Sequence, residues 1–95
     1  MKKYIITIGA NNTTKQVEKN KIENILEIHK VDGASIIDTV GYWQGEKEPS
    51  VRVEILPTRE EQGDDYFTRL CLDLRDRLDQ QAVMLESLES NTQFI

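Results

Sequence analysis

At 95 residues the chain has room for one domain, residues 1–95, with a modest core that needs no disulfide or metal to hold it. Hydrophobic residues make up 38% and charged residues 31%, too apolar for a disordered chain, and no apolar run nears the ~18 residues of a membrane span. A net charge of −5 disfavours general nucleic-acid binding, and a single cysteine with a single histidine puts the usual zinc ligand sets out of reach.

The charge is uneven: residues 1–30 carry six lysines against three glutamates, while residues 31–95 carry 6 basic and 14 acidic side chains. The unpaired Cys71 points to a reducing, cytoplasmic setting. The opening MKKYIITIG alternates and lacks a small-residue cleavage site, so it reads as a strand rather than a signal peptide.

Tyr4 to Ile8 is short and β-branched, bounded by Gly9 and Asn11-Asn12, which predicts a strand and then a turn. Thr13 and Gln16 have capping-box spacing, so a helix is expected from there. Its apolar stripe is Val17, Ile22, Ile25, Leu26 and Ile28, and Asp32-Gly33 is expected to end it. Ala34 to Trp43 reads as a second strand, Gln44 to Pro49 as a turn, and Val51 to Ile55 as a cleanly alternating third strand. Phe67, Leu70, Cys71, Leu74 and Leu78 recur at helical spacing and predict a second helix. Asp65 with Arg69, Asp73 with Arg77 and Arg75 with Asp79 make i,i+4 pairs on its outer side. Ala82 to Leu85 is the expected last strand.

The order β-α-β-β-α-β is the split βαβ, ferredoxin-like α+β arrangement: four antiparallel strands ordered 4-1-3-2 with both helices on one face. Pairing Trp43 with Ser50 would place Gly41 opposite Arg52, Thr39 opposite Glu54 and Ile37 opposite Leu56. Ile36, Val40, Tyr42, Val51, Val53 and Ile55 would then lie under the helices. Ile5, Ile37, Trp43, Leu56 and Met84 would lie on the open face, an apolar patch that predicts a homo-oligomer joined there.

The sequence nominates no catalytic constellation and no cofactor. His29 reads as a core-margin residue near a helix C-terminus, Cys71 as packing, and Asp38 as an inward charge guarding an edge strand. Asn11 and Asn12, leading into a helix N-terminus, form a weak candidate anion site. Tyr42 and Trp43, with Glu48 and with Arg52 across the hairpin, could stack on a flat ligand and pair with an anionic group.

The segments YIITIGANN, DGASIIDTVGYWQGEKEPS and QQAVMLESLESNTQFI resemble small phage and prophage proteins of unknown role, and a Gly-x-Trp…Glu hairpin pattern falls on Gly41, Trp43 and Glu48. The resemblance implies a ferredoxin-like fold and a phage anti-defence setting. The expected function is a non-enzymatic binding protein, in its sharpest form an oligomeric sponge for a cyclic-nucleotide immune signal. The alternatives are an inhibitor that docks on a host defence protein and, last, a small carboxylate- or tyrosine-dependent enzyme, with His29, Asp38 and Glu48 its first candidates.

Overall fold

The computed structural model describes residues 1–95. Its elements are β1 (Lys2–Gly9), α1 (Lys19–Ile28), β2 (Ser35–Trp43), β3 (Glu46–Ile55), α2 (Asp64–Arg77) and β4 (Met84–Glu89). They form one antiparallel sheet in the order β2-β3-β1-β4. This is the expected βαββαβ fold, with two central strands between two edges. No helix is long and apolar enough to cross a membrane.

The core lies between the sheet and the helices. Tyr4, Ile6 and Ile8 of β1 and Val51, Val53 and Ile55 of β3 alternate onto it and meet Ile22, Ile25 and Leu26 of α1. From α2 come Phe67, Leu70, Cys71 and Leu74, with Leu78 just after it, which is the stripe read from the sequence. Tyr4 stacks on Phe67 with ring centroids 3.9 Å apart, and its hydroxyl donates to Asp64 Oδ1 at 2.6 Å. Burial and the facing carboxylate push the Tyr4 phenol up to about 12.

Several local expectations are corrected. Thr13 does not start a helix, because Asn11 captures the segment first: its Oδ1 accepts from the backbone N–H groups of Thr13 and Thr14 at 2.8 and 3.0 Å. The helix begins only at Lys19. It also ends before Asp32-Gly33. Lys30, at φ 59°, takes the left-handed position, and the Lys30 and Val31 N–H groups bond to Glu27 O and Leu26 O in a Schellman motif.

The hairpin turn is two residues rather than six. Gln44 and Gly45 both have positive φ (50° and 81°), the signature of a type I′ turn. Trp43 therefore pairs with Glu46, Gly41 with Glu48, Thr39 with Ser50 and Ile37 with Arg52. This moves the partner strand by four residues, an even number, so every side chain keeps its face.

Val40 and Tyr42 do lie on the helix-side face, yet they are 70% and 72% exposed and are not core. The hairpin runs past Gly9, where β1 stops opposite Ser50, and so projects beyond the layer the helices cover. The last strand starts at Met84, later than expected, and takes in Glu86 and Glu89, charges that suit an edge.

Asp38 does face the helix side of edge strand β2, where Lys19 Nζ pairs with it at 2.6 Å. Of the expected i,i+4 pairs only Asp73–Arg77 forms, at 2.8 Å, while Arg75 turns to its neighbour Asp76.

Candidate functional site

The open face of the sheet is not a uniform apolar patch. Its centre holds Lys3, Arg52 and Glu54, with Lys3 Nζ 2.5 Å from Glu54 Oε1 and Arg52 3.7 Å from the same carboxylate. The Lys3 contact first, and Arg52 after it, hold the Glu54 carboxyl below the usual range. Ile5, expected to be exposed, is buried: Glu54 and Glu86 stand directly opposite it on the two neighbouring strands. Leu56 is half-buried, whereas Ile37, Met84 and Trp43 remain exposed.

The register also separates two residues expected to act together. Arg52 lies opposite Ile37, while Trp43 sits at the hairpin tip opposite Glu46. These positions are six residues apart along β3, about 20 Å of strand. Arg52 and Trp43 cannot grip one small ligand within a single copy.

Asn11 is accounted for structurally. It is buried, its Nδ2 donates to Glu18 Oε1 and Leu78 O, and its Oδ1 already accepts twice. It has no group left for a ligand, and the loop it organises does not lead directly into a helix N-terminus. Asn12 is exposed and gives its backbone N–H to Asp79 O.

The structure assembles a different site around Glu48. On the open face Glu48 lies opposite Gly41 of β2, and on the other side of β3 strand β1 ends at Gly9, opposite Ser50. Two glycines thus leave a floor without side chains. A β-carbon added to Gly9 would lie only 2.7 Å from Glu48 Oε1 and 3.4 Å from Gln80 Oε1. One added to Gly41 would meet Glu48 O at 3.6 Å and Ser50 Oγ at 3.8 Å. Thr39 Oγ1 and Ser50 Oγ, hydrogen-bonded at 2.5 Å, border the floor. Trp43, two residues beyond Gly41 on the same face and 72% exposed, offers an aromatic surface about 7 Å along the strand.

Gln80 belongs to this cradle and escaped sequence reading. α2 ends in a second Schellman motif, with Asp79 at φ 52° and the Gln80 N–H bonded to Arg75 O at 3.0 Å. The side-chain Nε2 donates to Ala10 O at 2.7 Å, just past the end of β1. Nothing short of the folded chain brings residue 80 against residue 9.

Glu48 takes part in none of the ion pairs of the chain and is exposed, so its charge is available to a ligand. Glu46 lies two residues away on the same face, making this end of the sheet negative. The cradle therefore favours a cationic group next to a flat ring. No group of histidine, cysteine and carboxylate side chains gathers as a metal site.

The other candidates resolve as structural. His29 caps α1 and its Nε2 lies 2.8 Å from Asp73 Oδ2, while Tyr66 donates its hydroxyl to His29 O at 2.5 Å. Burial pushes the Cys71 thiol up to about 11, which makes it unreactive.

No family model and no curated sequence matches the chain. Among solved structures, it is similar to a phage S-adenosylmethionine lyase in complex with S-methyl-5′-thioadenosine, with a TM-score of 0.71 and 21% identity over 93% of this chain and 80% of that one. A DUF3240 family protein from Shewanella baltica OS155 superposes with a TM-score of 0.65 and 16% identity, covering 99% and 94%. CPII, a nitrogen regulatory PII-like protein from Thiomonas intermedia K12 bound to ADP, AMP and bicarbonate, gives 0.58 and 11%, covering 98% and 94%. These likenesses establish the fold.

They also overturn the expectation of a non-enzymatic chain. That reading rested on the lack of any catalytic constellation, yet a lyase is built on this same small fold. Motif spacing registers paired acids, nucleophiles and metal ligands.

Proposed function

We propose that this chain is a small phage-type enzyme acting on an adenosine-bearing sulfonium compound, and that S-adenosylmethionine is its substrate. The observation that carries this reading is the unpaired Glu48 carboxylate laid over the glycine floor beside Trp43. A sulfonium ligand combines the two features such a cradle selects, a positive charge and a flat purine. Stacking a base on an aromatic ring contributes about 1–3 kcal/mol, and the carboxylate supplies a charge opposite to the ligand's cationic amino-acid end. The phage lyase with S-methyl-5′-thioadenosine supports the choice of ligand, as does the resemblance of the hairpin to phage proteins.

Glu48 serves to hold the ligand, and the reaction is balanced within the substrate. The S–Cγ bond breaks and its electron pair returns to sulfur, giving neutral S-methyl-5′-thioadenosine. The substrate's own carboxylate oxygen forms the new bond to Cγ, and no water enters. Consuming S-adenosylmethionine would deprive host methyl-transfer enzymes of their donor, which fits the anti-defence setting.

Association of copies through the open face belongs to the same proposal, resting on Ile37, Trp43, Leu56 and Met84, with Ile5 withdrawn from it. Incubation of the pure protein with S-adenosylmethionine, followed by chromatography, should show S-methyl-5′-thioadenosine, and Glu48→Gln should slow its formation by about tenfold or more. Tight binding with full recovery of intact substrate would sink the lyase reading.

A further inference from the structure

Glu48 Oε1 and Gln80 Oε1 both lie close above the bare backbone of Gly9, 2.7 and 3.4 Å from where a β-carbon would be. Both are acceptors, and neither is satisfied by the protein. Gln80 cannot flip to offer its amide N–H instead, because Nε2 is held by Ala10 O at 2.7 Å and reaches Leu78 O at 3.4 Å. Its backbone is pinned as well by the Schellman bond to Arg75 O. The spot thus presents two acceptors, Gln80 fixed and Glu48 charged, and no donor.

We infer that the Gly9 notch is a donor-selective subsite, in which Glu48 and Gln80 together bind the primary ammonium of the ligand's amino-acid end. A neutral exocyclic amine would satisfy the geometry, but the carboxylate, with Glu46 nearby on the same face, favours a donor that carries charge. A ligand carboxylate oxygen would face acceptors only and be repelled, while a hydroxyl could donate but brings no charge to match the carboxylate. Residue 9 must be glycine because a β-carbon there would push the Glu48 carboxylate out of place. The inference rests on the proposed substrate for the rest of the ligand. It assigns Gln80 as a specificity-determining residue and Glu48 as the ammonium's counter-charge.

The test uses the full chain labelled with ¹⁵N and three probes: S-methylmethionine, which carries the ammonium and a sulfonium without adenosine, its N-acetyl derivative, and S-methyl-5′-thioadenosine, which lacks the ammonium. S-methylmethionine should shift the Gly9 amide and the Gln80 side-chain amide saturably, and the N-acetyl derivative should not. By calorimetry, S-adenosylmethionine should bind the wild type about tenfold or more tighter than S-methyl-5′-thioadenosine, the yield of one charge-assisted contact. Gln80→Met and Glu48→Gln should each shrink that preference and leave S-methyl-5′-thioadenosine affinity unchanged. Should Gln80→Met lose its fold with the Ala10 contact, the exposed Glu48→Gln carries the comparison.

Equal shifts from the free and acetylated probes would overturn the subsite, as would equal losses of both adenosine ligands in the variants. If no adenosine ligand binds while S-methylmethionine still moves Gly9, the subsite stands and the adenosine reading falls.

Discussion

Glu48 Oε1 sits 2.7 Å from where a β-carbon of residue 9 would be, so the acid and Gly9 share one space. Gly9→Ala therefore tests the site without testing the fold. The methyl group meets the far end of a flexible, exposed side chain, which can swing away. Stability should change by less than about 1 kcal/mol, and a gain is allowed because alanine restricts the unfolded chain. Turnover of S-adenosylmethionine should fall at least about tenfold, the loss of one charge-assisted contact. Unchanged turnover with an intact thermal transition would remove Glu48 from the site.

The helical phase of α2 predicts a contrast between two leucines two residues apart. Leu74 is fully buried against the sheet, and Leu74→Ala should cost about 2–5 kcal/mol by urea denaturation. Leu72 is 44% exposed on the other side, and Leu72→Ala should cost under about 1 kcal/mol. Equal losses would contradict the packing.

Asn11 makes four hydrogen bonds from one buried side chain. Asn11→Ala leaves the Leu78 carbonyl and two loop N–H groups without that partner. The expected loss is about 2–4 kcal/mol, read as a lower urea midpoint. A loss below about 0.5 kcal/mol would mean water replaces these bonds at no cost.

Acid should weaken the tie between the helices. The hydrogen bond from His29, joined by Arg77, holds the Asp73 carboxyl below its ordinary value of 3.8. A depressed carboxylate contributes stability that is complete above its unfolded pKa and is lost as pH falls through its lower folded pKa. The thermal midpoint of Asp73→Asn should thus lie below wild type at neutral pH, and the gap should close only below about pH 4. A gap independent of pH down to 2 would assign the effect to packing instead.

If copies meet through the open face, Ile37→Glu should lower the mass measured by light scattering at micromolar concentration while leaving far-ultraviolet dichroism unchanged. A wild-type chain that is monomeric throughout would end that proposal.

By itself the sequence determined the fold class, the strand order and the face taken by each strand residue. These follow from periodicity, since alternation in Val51 to Ile55 and helical spacing from Phe67 to Leu78 each state which side must leave water. Even the error in hairpin pairing kept the faces, because it was an even number of residues. Tertiary structure decided what periodicity does not carry. Trp43 and Arg52 were parted by a two-residue turn whose positive φ angles set the register. Asn11 was withdrawn from ligand binding by partners as distant as Leu78. Gly9, Glu48 and Gln80 were brought together from a strand end, a hairpin and a helix C-cap. A site of that kind depends on contacts between residues far apart in the chain, and such contacts exist only once the core has closed.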